Sequence, residues 1–355
     1  MSQTLAGAVT PPRTRREAAP IQPLRQSHSR SSDQKVVMKL AYTSAVALVV
    51  TLATPALAQD CGEGLRAFEH HLETSCIPED PQRIASLRGD QITTPLLDIG
   101  APIALTVMNR MEDGTTYIRG AADIFRQQFI EASGVEYFSD RATIDVEALA
   151  AEQPDLIIGR IWNEEIYDQL KAIAPTVIIP PNMPFLEHLE WLADAANMSD
   201  TFDTELARYE SRIAEAREVI GTPSEITLSR FDLWDDGLWY YPNWGAIDQV
   251  INDIGFAKPT IQTEATEGLS GVSVERIQEF DGDVLISSRA PRFGQTIPML
   301  KEQWDSVAPF WRNLDGVETG NHFWYERDIL VGYTFESLDR SIDFLTAITA
   351  GRGFE

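Results

Sequence analysis

The chain has 355 residues, more than one compact core of ordinary size holds, and this length predicts two domains. Its composition, 43% hydrophobic and 23% charged, is that of a globular protein. Residues 1–58 hold seven basic and two acidic residues, a net charge of +5. Because the formal charge of the whole chain is −25, the remaining residues carry −30. A surface this acidic argues against nucleic acid as a partner, although a local group of arginines can still bind a small anion.

The N-terminus has the pattern of an export signal. The segment "MKLAYTSAVALVVTLATPALAQ" begins at Met38 with one lysine, continues as an apolar run and ends in Ala56-Leu57-Ala58. We therefore expect residues 1–58 to be a signal peptide with a polar N-terminal extension, cleaved after about residue 58. An uncleaved anchor helix is the alternative. Beyond residue 58 no stretch approaches the ~20 apolar residues of a membrane span, so we expect a soluble, exported mature protein.

Residues 59–82 form a short N-terminal segment that carries both cysteines, Cys61 and Cys76. In an oxidising compartment two cysteines predict one disulfide, which would stabilise the fold by roughly 3 kcal/mol in the chain-entropy description. The alternative is lipid attachment at Cys61, for which Asp60 is a poor neighbour. Two thiols alone do not favour a metal site.

From residue 83 short apolar runs alternate with helical patterns. Four runs in residues 83–198 predict strands: "RIASL", "PIALTVM", "PDLIIG" and "APTVIIP". Residues 199–222 predict one long helix, because apolar positions recur there at steps of three and four residues. Residues 223–355 repeat the alternation, with "EITLSRF" and "DVLIS" as strands. The fold class expected is α/β: two Rossmann-like lobes with parallel sheets, joined by one long interlobe helix.

Arginines follow the predicted strands of both lobes. In open parallel sheets ligands bind beyond the carboxyl ends of the strands. If the lobes face each other, these guanidinium groups converge on one cleft, where their planar forks suit carboxylate-like oxygens. Independent surface salt bridges are the alternative. The candidate ligand-binding arginines are Arg88, Arg160, Arg230, Arg289 and Arg292.

Aromatic residues cluster near the same strand ends. The segment "FDLWDDGLWYYPNW" (Phe231 to Trp244) is too dense in rings, and too interrupted by Asp-Asp-Gly and Pro, for a regular core element. It predicts a loop or hairpin that lines a pocket, where rings contact a flat ligand surface. The candidate ligand contacts from this segment and from two other strand ends are Trp162, Trp239, Tyr240, Trp244, Tyr325 and Arg327.

The sequence carries no recognisable catalytic motif. The patterns G-x-S-x-G, P-loop, G-x-G-x-x-G and H-E-x-x-H are all absent. Four histidines follow residue 58, and the only adjacent two, His70 and His71, precede the predicted lobes. A metal site with several imidazoles is therefore disfavoured. We expect no catalytic residue and no metal ligand.

One unit occurs twice in the chain. When "IDVEALAAEQPDLIIG" and "VSVERIQEFDGDVLIS" are laid side by side, Glu147 falls on Glu275 and Asp155 on Asp283. Both segments predict a short helix, a turn and a buried strand. A glutamate in a first helical turn stabilises any helix by roughly 0.3–1 kcal/mol, so stability alone explains either one.

The predicted two α/β lobes, the long connecting helix, the signal peptide and the paired glutamates together resemble the periplasmic binding proteins of ABC importers for ferric siderophores and cobalamin. The resemblance spans about residues 81–350 and is carried by "PQRIASL", "VEALAAEQPDLII" and "VSVERIQEFDGDVLI", while "LKAIAPTVII" is typical of the ferric-siderophore branch. It implies a periplasmic monomer that captures a chelate and delivers it to an ABC permease dimer with its ATPase. In that family one glutamate on each lobe meets arginines of the permease, which implies this docking role for Glu147 and Glu275. Iron would stay inside its chelator, so no cofactor is implied.

The resemblance also bears on the ligand. Catecholate-binding members tend to carry "SRFG" where this chain has "PNWG", with Trp244 in place of the arginine. This departure favours a hydroxamate or carboxylate chelate. Cobalamin and haem are alternatives within the same fold. A periplasmic enzyme acting on an iron chelate is the alternative from another class.

Overall fold

The computed structural model describes residues 60–114, 116–118 and 133–354. The predicted signal peptide and its extension lie outside the described residues. Within these ranges no helix is both long enough and apolar enough to cross a bilayer.

An antiparallel hairpin, Leu65–Glu69 and Thr74–Pro78, precedes the lobes. The disulfide between Cys61 and Cys76 ties the start of this segment to the second strand, so the predicted disulfide is confirmed. The hairpin tip reaches a neighbouring sheet, because the His71 backbone N–H donates to the Ile178 carbonyl at 2.9 Å. The hairpin therefore covers an edge strand that would otherwise expose its backbone groups.

The first lobe is built on a mixed six-stranded sheet. Its strands are parallel except for the two-residue strand Thr116–Tyr117, which is antiparallel to its neighbour. The other strands are Ile84–Ser86, Ile103–Arg110, Glu136–Asp140, Leu156–Gly159 and Thr176–Ile178. Helical segments around the sheet are Gly89–Thr93, Thr94–Asp98, Val146–Ala151, Ile161–Ile166, Tyr167–Lys171 and Phe185–Ala195.

The second lobe combines a parallel sheet with a smaller antiparallel one. The parallel strands are Leu228–Arg230, Val284–Arg289 and His322–Glu326, with Val284–Arg289 in the middle. The antiparallel strands are Asp232–Trp234, Gly237–Tyr240 and Leu269–Val272. Helices in this lobe are Gly245–Ile254, Thr260–Glu264, Ile297–Val307, Asp315–Glu318, Arg327–Leu330 and Phe335–Thr349; 3-10 turns are Pro223–Glu225, Val274–Phe280, Pro291–Phe293 and Pro309–Asn313.

One 22-residue helix, Ser199–Ile220, connects the two lobes. It buries Tyr209, Ile213 and Ala216 on one face, and it packs against the helices Phe185–Ala195 and Phe335–Thr349. Gly221, at φ +92°, ends it in a conformation that other residues rarely adopt. The predicted fold class, two α/β lobes with parallel sheets and one long connecting helix, is confirmed.

The two lobes are packed together below the strand ends. Phe185 of the first lobe stacks on Tyr333 of the second, with ring centroids 5.1 Å apart. The Phe335 backbone N–H donates to Asp98 Oδ2 at 2.7 Å across the same interface. These two contacts hold the lobes together. The candidate site lies between the lobes, at the carboxyl ends of the parallel strands.

Candidate functional site

Three adjoining cavities lie at the carboxyl ends of the parallel strands. The first-lobe cavity has a volume of about 430 Å³, the central cavity about 90 Å³ and the second-lobe cavity about 300 Å³. Arg88 lines the first two and Arg327 the last two, so neighbouring cavities share an arginine, and the three together are called the groove. The groove thus joins both lobes, as expected for a ligand site in open parallel sheets.

A larger cavity, of about 870 Å³, is a weaker candidate. It lies at the amino ends of the second-lobe strands, next to Asp283 and Asn321, and faces away from the groove. Its lining includes Asp283, Asp315 and Glu318 against one arginine, Arg352. An open, acidic depression without converging donors does not suit an anion, so we place the candidate site in the groove.

An exposed tryptophan lies between two arginines in the first lobe. Trp162 is 63% exposed, and the guanidinium carbons of Arg88 and Arg160 lie 4.9 and 5.5 Å from its ring centroid. A hydrogen bond closes the turn that carries Trp162: the Arg160 backbone N–H donates to Asn163 Oδ1 at 2.9 Å. An exposed ring with cations beside it offers a flat contact surface next to positive charge.

Arg160 is the least compensated of these cations. Burial lowers its pKa, and the nearby charge of Arg88 lowers it further, against the influence of Tyr333. Its buried Nε has no hydrogen-bond acceptor among the described residues. Arg88, in contrast, is paired with Asp90. A buried guanidinium nitrogen without an acceptor suggests a place that an anionic ligand would fill.

Arg327 faces the groove from the second lobe. It comes directly after the strand His322–Glu326, and its guanidinium lies 5.6 Å from the Trp234 ring centroid. Its Nε is also buried without an acceptor in the described part of the chain. Trp244 and Tyr333 complete the central cavity beside it. The structure therefore brings Arg88 and Arg327 to the groove, together with Trp162 and Trp244, while Arg160 lies beside Trp162 without lining any of these three cavities.

Arg230 is not in the groove, which corrects the expectation from the sequence. It is 1% exposed, and Asp248 accepts from its Nε at 2.7 Å and from its Nη2 at 2.9 Å. Burial alone would lower its pKa, but the attraction of Asp248 outweighs burial and raises the pKa. The guanidinium also donates to the Tyr241 carbonyl. Arg230 therefore holds the aromatic hairpin onto the lobe and cannot reach a ligand.

Two predicted aromatic contacts are also core residues. Tyr240 is 1% exposed and Tyr325 is 2% exposed, each within a hydrophobic cluster. Trp239 is half-buried; it stacks on Trp234 at 4.9 Å and donates to Asp236 at 2.8 Å, outside the lining of the three cavities. Neighbouring residues of a strand point to opposite faces, which explains why Trp239 is partly exposed while the next residue, Tyr240, is buried.

Arg289 and Arg292 lie near the groove but are held by acids. Arg289 pairs with Glu326 at 2.9 Å, and Arg292 pairs with the buried Asp328. Arg292 also lies 4.0 Å from the ring centroid of Tyr117, a first-lobe residue, so it bridges the lobes. These two arginines contribute to the shape of the site, and their charges are largely balanced.

Several groove residues were not identified from the sequence. Trp234 belongs to the aromatic segment that predicted a pocket, but its place in the lining depends on the hairpin register, in which Trp234 pairs with Gly237. Tyr333 and Gln91 carry no pattern that could have found them. Others include Arg141 of the first-lobe cavity and Asp232, Ser288 and Trp324 of the second-lobe cavity.

The repeated glutamate unit has equivalent surroundings in both lobes. Glu147 and Glu275 are both exposed in a first helical turn, and Asp145 and Ser273 cap those turns. The first of these helices is an α-helix and the second a 3-10 helix. The paired aspartates also match: Asp155 accepts the backbone N–H of Arg83 at 2.9 Å.

Asp283 does the same in the second lobe, where it accepts the Thr227 N–H at 2.7 Å, one residue before the first strand of that lobe. The duplicated unit thus anchors the opening strand of each lobe.

Within the described ranges no group of three or more His, Cys, Asp or Glu side chains could hold a metal ion. His188 is buried and His322 is half-buried, and desolvation lowers their pKa values to about 4 and about 3. Each is a neutral packing residue: His188 contacts the Gln91 carbonyl at 2.6 Å, and His322 contacts Ser287 at 3.1 Å. What the groove offers is therefore guanidinium groups and aromatic rings.

The chain is similar in sequence and in fold to known binding proteins. The chain is 29% identical over 274 residues to the probable siderophore-binding lipoprotein YfiY of Bacillus subtilis, covering 72% of this chain and 78% of the relative. It is 27% identical over 222 residues to the iron(3+)-hydroxamate-binding protein YxeB of the same organism, covering 60% and 68%. Its fold is similar to that of Staphylococcus aureus SirA complexed with staphyloferrin B, with a TM-score of 0.66 at 18% identity, covering 79% and 97%.

The family model described as "Periplasmic binding protein" matches residues 135–323. This range includes the end of the first lobe, the connecting helix and most of the second lobe. Because the match covers more than half of the sequence, the chain belongs to the periplasmic binding protein family.

Proposed function

We propose that this protein captures a ferric siderophore, an anionic iron chelate, in the groove and delivers it to an ABC importer. The observation that carries the proposal is the exposed Trp162 between Arg88 and Arg160, with the second-lobe Arg327 in the adjoining central cavity that Arg88 also lines. Guanidinium forks bind oxygen anions, and an exposed indole covers a flat or conjugated surface. The names of the Bacillus subtilis relatives, which refer to siderophores and iron(3+)-hydroxamate, support the same ligand class.

A hydroxamate or carboxylate chelate fits best. Trp244 lines the central cavity beside Arg327, so this part of the groove offers a ring at a position where catecholate binders tend to have a cation. Iron enters enclosed in its chelator, and the protein supplies no direct ligand to it. The chain acts by binding and release, without a chemical step.

Delivery requires a partner, and we propose an ABC permease dimer with its ATPase. Glu147 and Glu275 are exposed at equivalent places on the two lobes, which suits two matching basic sites on a dimer. We further propose that residues 1–58 are removed on export and that the mature protein is a periplasmic monomer.

Tryptophan-quenching titration tests the capture function. The mature protein is titrated with ferric hydroxamate, ferric carboxylate and ferric catecholate chelates, with cobalamin and with haem. At least one hydroxamate or carboxylate chelate is expected to bind below roughly 10 µM, and its iron-free form far more weakly. Binding of cobalamin or haem alone would transfer the protein to another ligand class, and binding of none would end the capture proposal. Turnover of a bound chelate would favour an enzyme.

A further inference from the structure

The helical turn that carries Trp162 has little core of its own. Trp162 lies in the 3-10 helix Ile161–Ile166, and of the six residues of that helix Asn163 alone is buried. A 3-10 helix of this length is uncommon, because its hydrogen-bond geometry is poorer than that of an α-helix. The position of Trp162 therefore depends on contacts from outside the turn.

The tip of the N-terminal hairpin, residues 70–73, contacts this helix directly. His71 Nε2 lies 3.2 Å from Glu164 Oε1, two residues after Trp162. The His71 backbone N–H donates to the Ile178 carbonyl at 2.9 Å. His70, 5% exposed, accepts the Ile178 N–H at its Nδ1 at 3.4 Å. The tip is therefore bonded to the edge strand and to the helix of Trp162 at once.

Glu73, also at the tip, holds the helix that follows. The Tyr167 hydroxyl donates to Glu73 Oε1 at 2.8 Å, and Lys171 forms an ion pair with the same oxygen. Hydrogen bonds from Lys171 and Tyr167 lower the pKa of Glu73, which keeps its carboxylate charged. Tyr167 is 8% exposed and comes directly after Ile166, the last residue of the helix that carries Trp162. The tip thus holds that helix at its middle and at its end.

The base of the N-terminal hairpin is fixed to the first lobe. Phe68 is 4% exposed, and its ring centroid lies 5.0 Å from that of Trp191. Arg66 Nη2 lies 3.1 Å from Asp194 Oδ1, one turn further along the same helix. An isolated two-stranded hairpin is only marginally stable, but this one is also closed by the disulfide. It is therefore a firm support rather than a loose arm.

We propose that the N-terminal hairpin is a brace that positions Trp162 for ligand binding, with His71 and Glu73 as positioning residues. Neither residue lines any of the three cavities of the groove, and both act through Glu164 and Tyr167. Holding an exposed ring in its binding orientation reduces the conformational entropy that is lost when the ligand binds. The effect on ligand affinity rests on the proposed function, whereas the support of Trp162 does not.

Nitrogen-15 NMR of the mature protein tests the brace without any ligand. The order parameter of the Trp162 Nε1–H group, whose signal is assigned with Trp162→Phe, reports how firmly the ring is held. Glu73→Ala is expected to lower it from about 0.8 to below about 0.6. Glu69→Ala, at an exposed position on the same hairpin, is the matched control and is expected to leave it unchanged. An unchanged value in Glu73→Ala, or an equal fall in both variants, would overturn the brace.

Calorimetry with a ferric hydroxamate or ferric carboxylate chelate measures the consequence for binding. Glu73→Ala is expected to weaken binding about three- to tenfold in the wild-type background and to change nothing in the Trp162→Ala background, because Glu73 acts through that ring. Glu73→Gln keeps an acceptor for Tyr167 and is expected to recover part of the loss. An equal loss of affinity in both backgrounds would show a general effect on the lobe and would overturn the positioning role.

The two proposals fail in distinguishable ways. If no chelate binds but Glu73→Ala lowers the order parameter of Trp162, the brace stands and capture falls. If chelates bind but Glu73→Ala changes neither the order parameter nor the affinity, capture stands and the brace falls.

Discussion

The carboxylate of Asp98 accepts a hydrogen bond from the backbone N–H of Phe335 at 2.7 Å, so a first-lobe side chain contacts the first turn of a second-lobe helix. Asp98 is largely buried, and desolvation raises its pKa to about 7 against the opposing hydrogen bonds from Phe335 and Glu336. Glu205 and Glu336 raise it slightly more. The contact between the lobes therefore includes a carboxyl group that titrates near neutral pH.

This titration predicts that stability depends on pH at the interface. Because folding raises the pKa of Asp98 from 3.8 to about 7, its contribution is fully present below about pH 4 and is lost as pH rises through 7. Asp98→Asn keeps an acceptor and removes the titration. Between pH 4 and pH 8 the free energy of unfolding of the wild type is expected to fall relative to that of the variant, by as much as about 4 kcal/mol. Urea unfolding at several pH values measures this, and parallel pH profiles would show that Asp98 does not titrate in this range.

The exposed indole between two arginines predicts a binding hot spot. Trp162→Ala removes little buried surface, so the free energy of unfolding is expected to stay within about 0.5 kcal/mol. Affinity for the tightest-binding ferric chelate is expected to fall about ten- to hundredfold, because the ring contact and its support for Arg88 and Arg160 are lost together. Calorimetry is the suitable measurement, since the variant also loses a fluorophore. Trp239→Ala is the control, and an equal loss in both variants would remove the special role of Trp162.

The buried ion pair between Arg230 and Asp248 predicts a large effect on stability. Arg230→Met leaves Asp248 buried without its partner and is expected to lower the free energy of unfolding by about 3–5 kcal/mol. Adding Asp248→Leu removes the isolated charge and is expected to recover part of the loss. Arg289→Met, whose ion pair is partly exposed, is the control and is expected to cost less than about 1 kcal/mol. Urea unfolding separates these cases, and a small effect of Arg230→Met would contradict the structural assignment.

Arg88 and Arg230 show what the sequence could and could not predict. Arg88 follows the first strand of the first lobe, and Arg230 ends the first strand of the second lobe. These strands were predictable because short apolar runs end at Pro, Gly or charged residues. Arg88 pairs with Asp90, two residues on, and still lines the groove. Arg230 pairs with Asp248, eighteen residues on, under the aromatic hairpin. A partner that distant is chosen by tertiary packing, so local pattern could not separate the two arginines.

The aromatic hairpin was predictable as an element but not in its register. Gly237, directly after the hairpin turn, has a φ of +127°, which other residues rarely adopt. A Cβ at this position would also lie only 2.5 Å from the Val272 carbonyl oxygen. That glycine sets which rings point outward. Trp234 lies in the groove lining and Tyr240 in the core as a result. Ring density indicates a pocket, but only the turn geometry decides which rings line it.

The two equivalent glutamates predict a separation of ligand binding from transport. Glu147→Ala combined with Glu275→Ala removes two exposed charges that line none of the three cavities, so chelate affinity is expected to be unchanged. The helix-dipole contribution of each predicts a stability loss of only about 0.3–1 kcal/mol. Uptake of the radiolabelled chelate is expected to be abolished, because the variant loses both of the contacts that we propose with the permease. The control variant, Glu218→Ala with Glu264→Ala, removes the same charge from other exposed positions and is expected to keep uptake. Normal uptake with the Glu147 and Glu275 variant would leave these residues with only their role in the first helical turn.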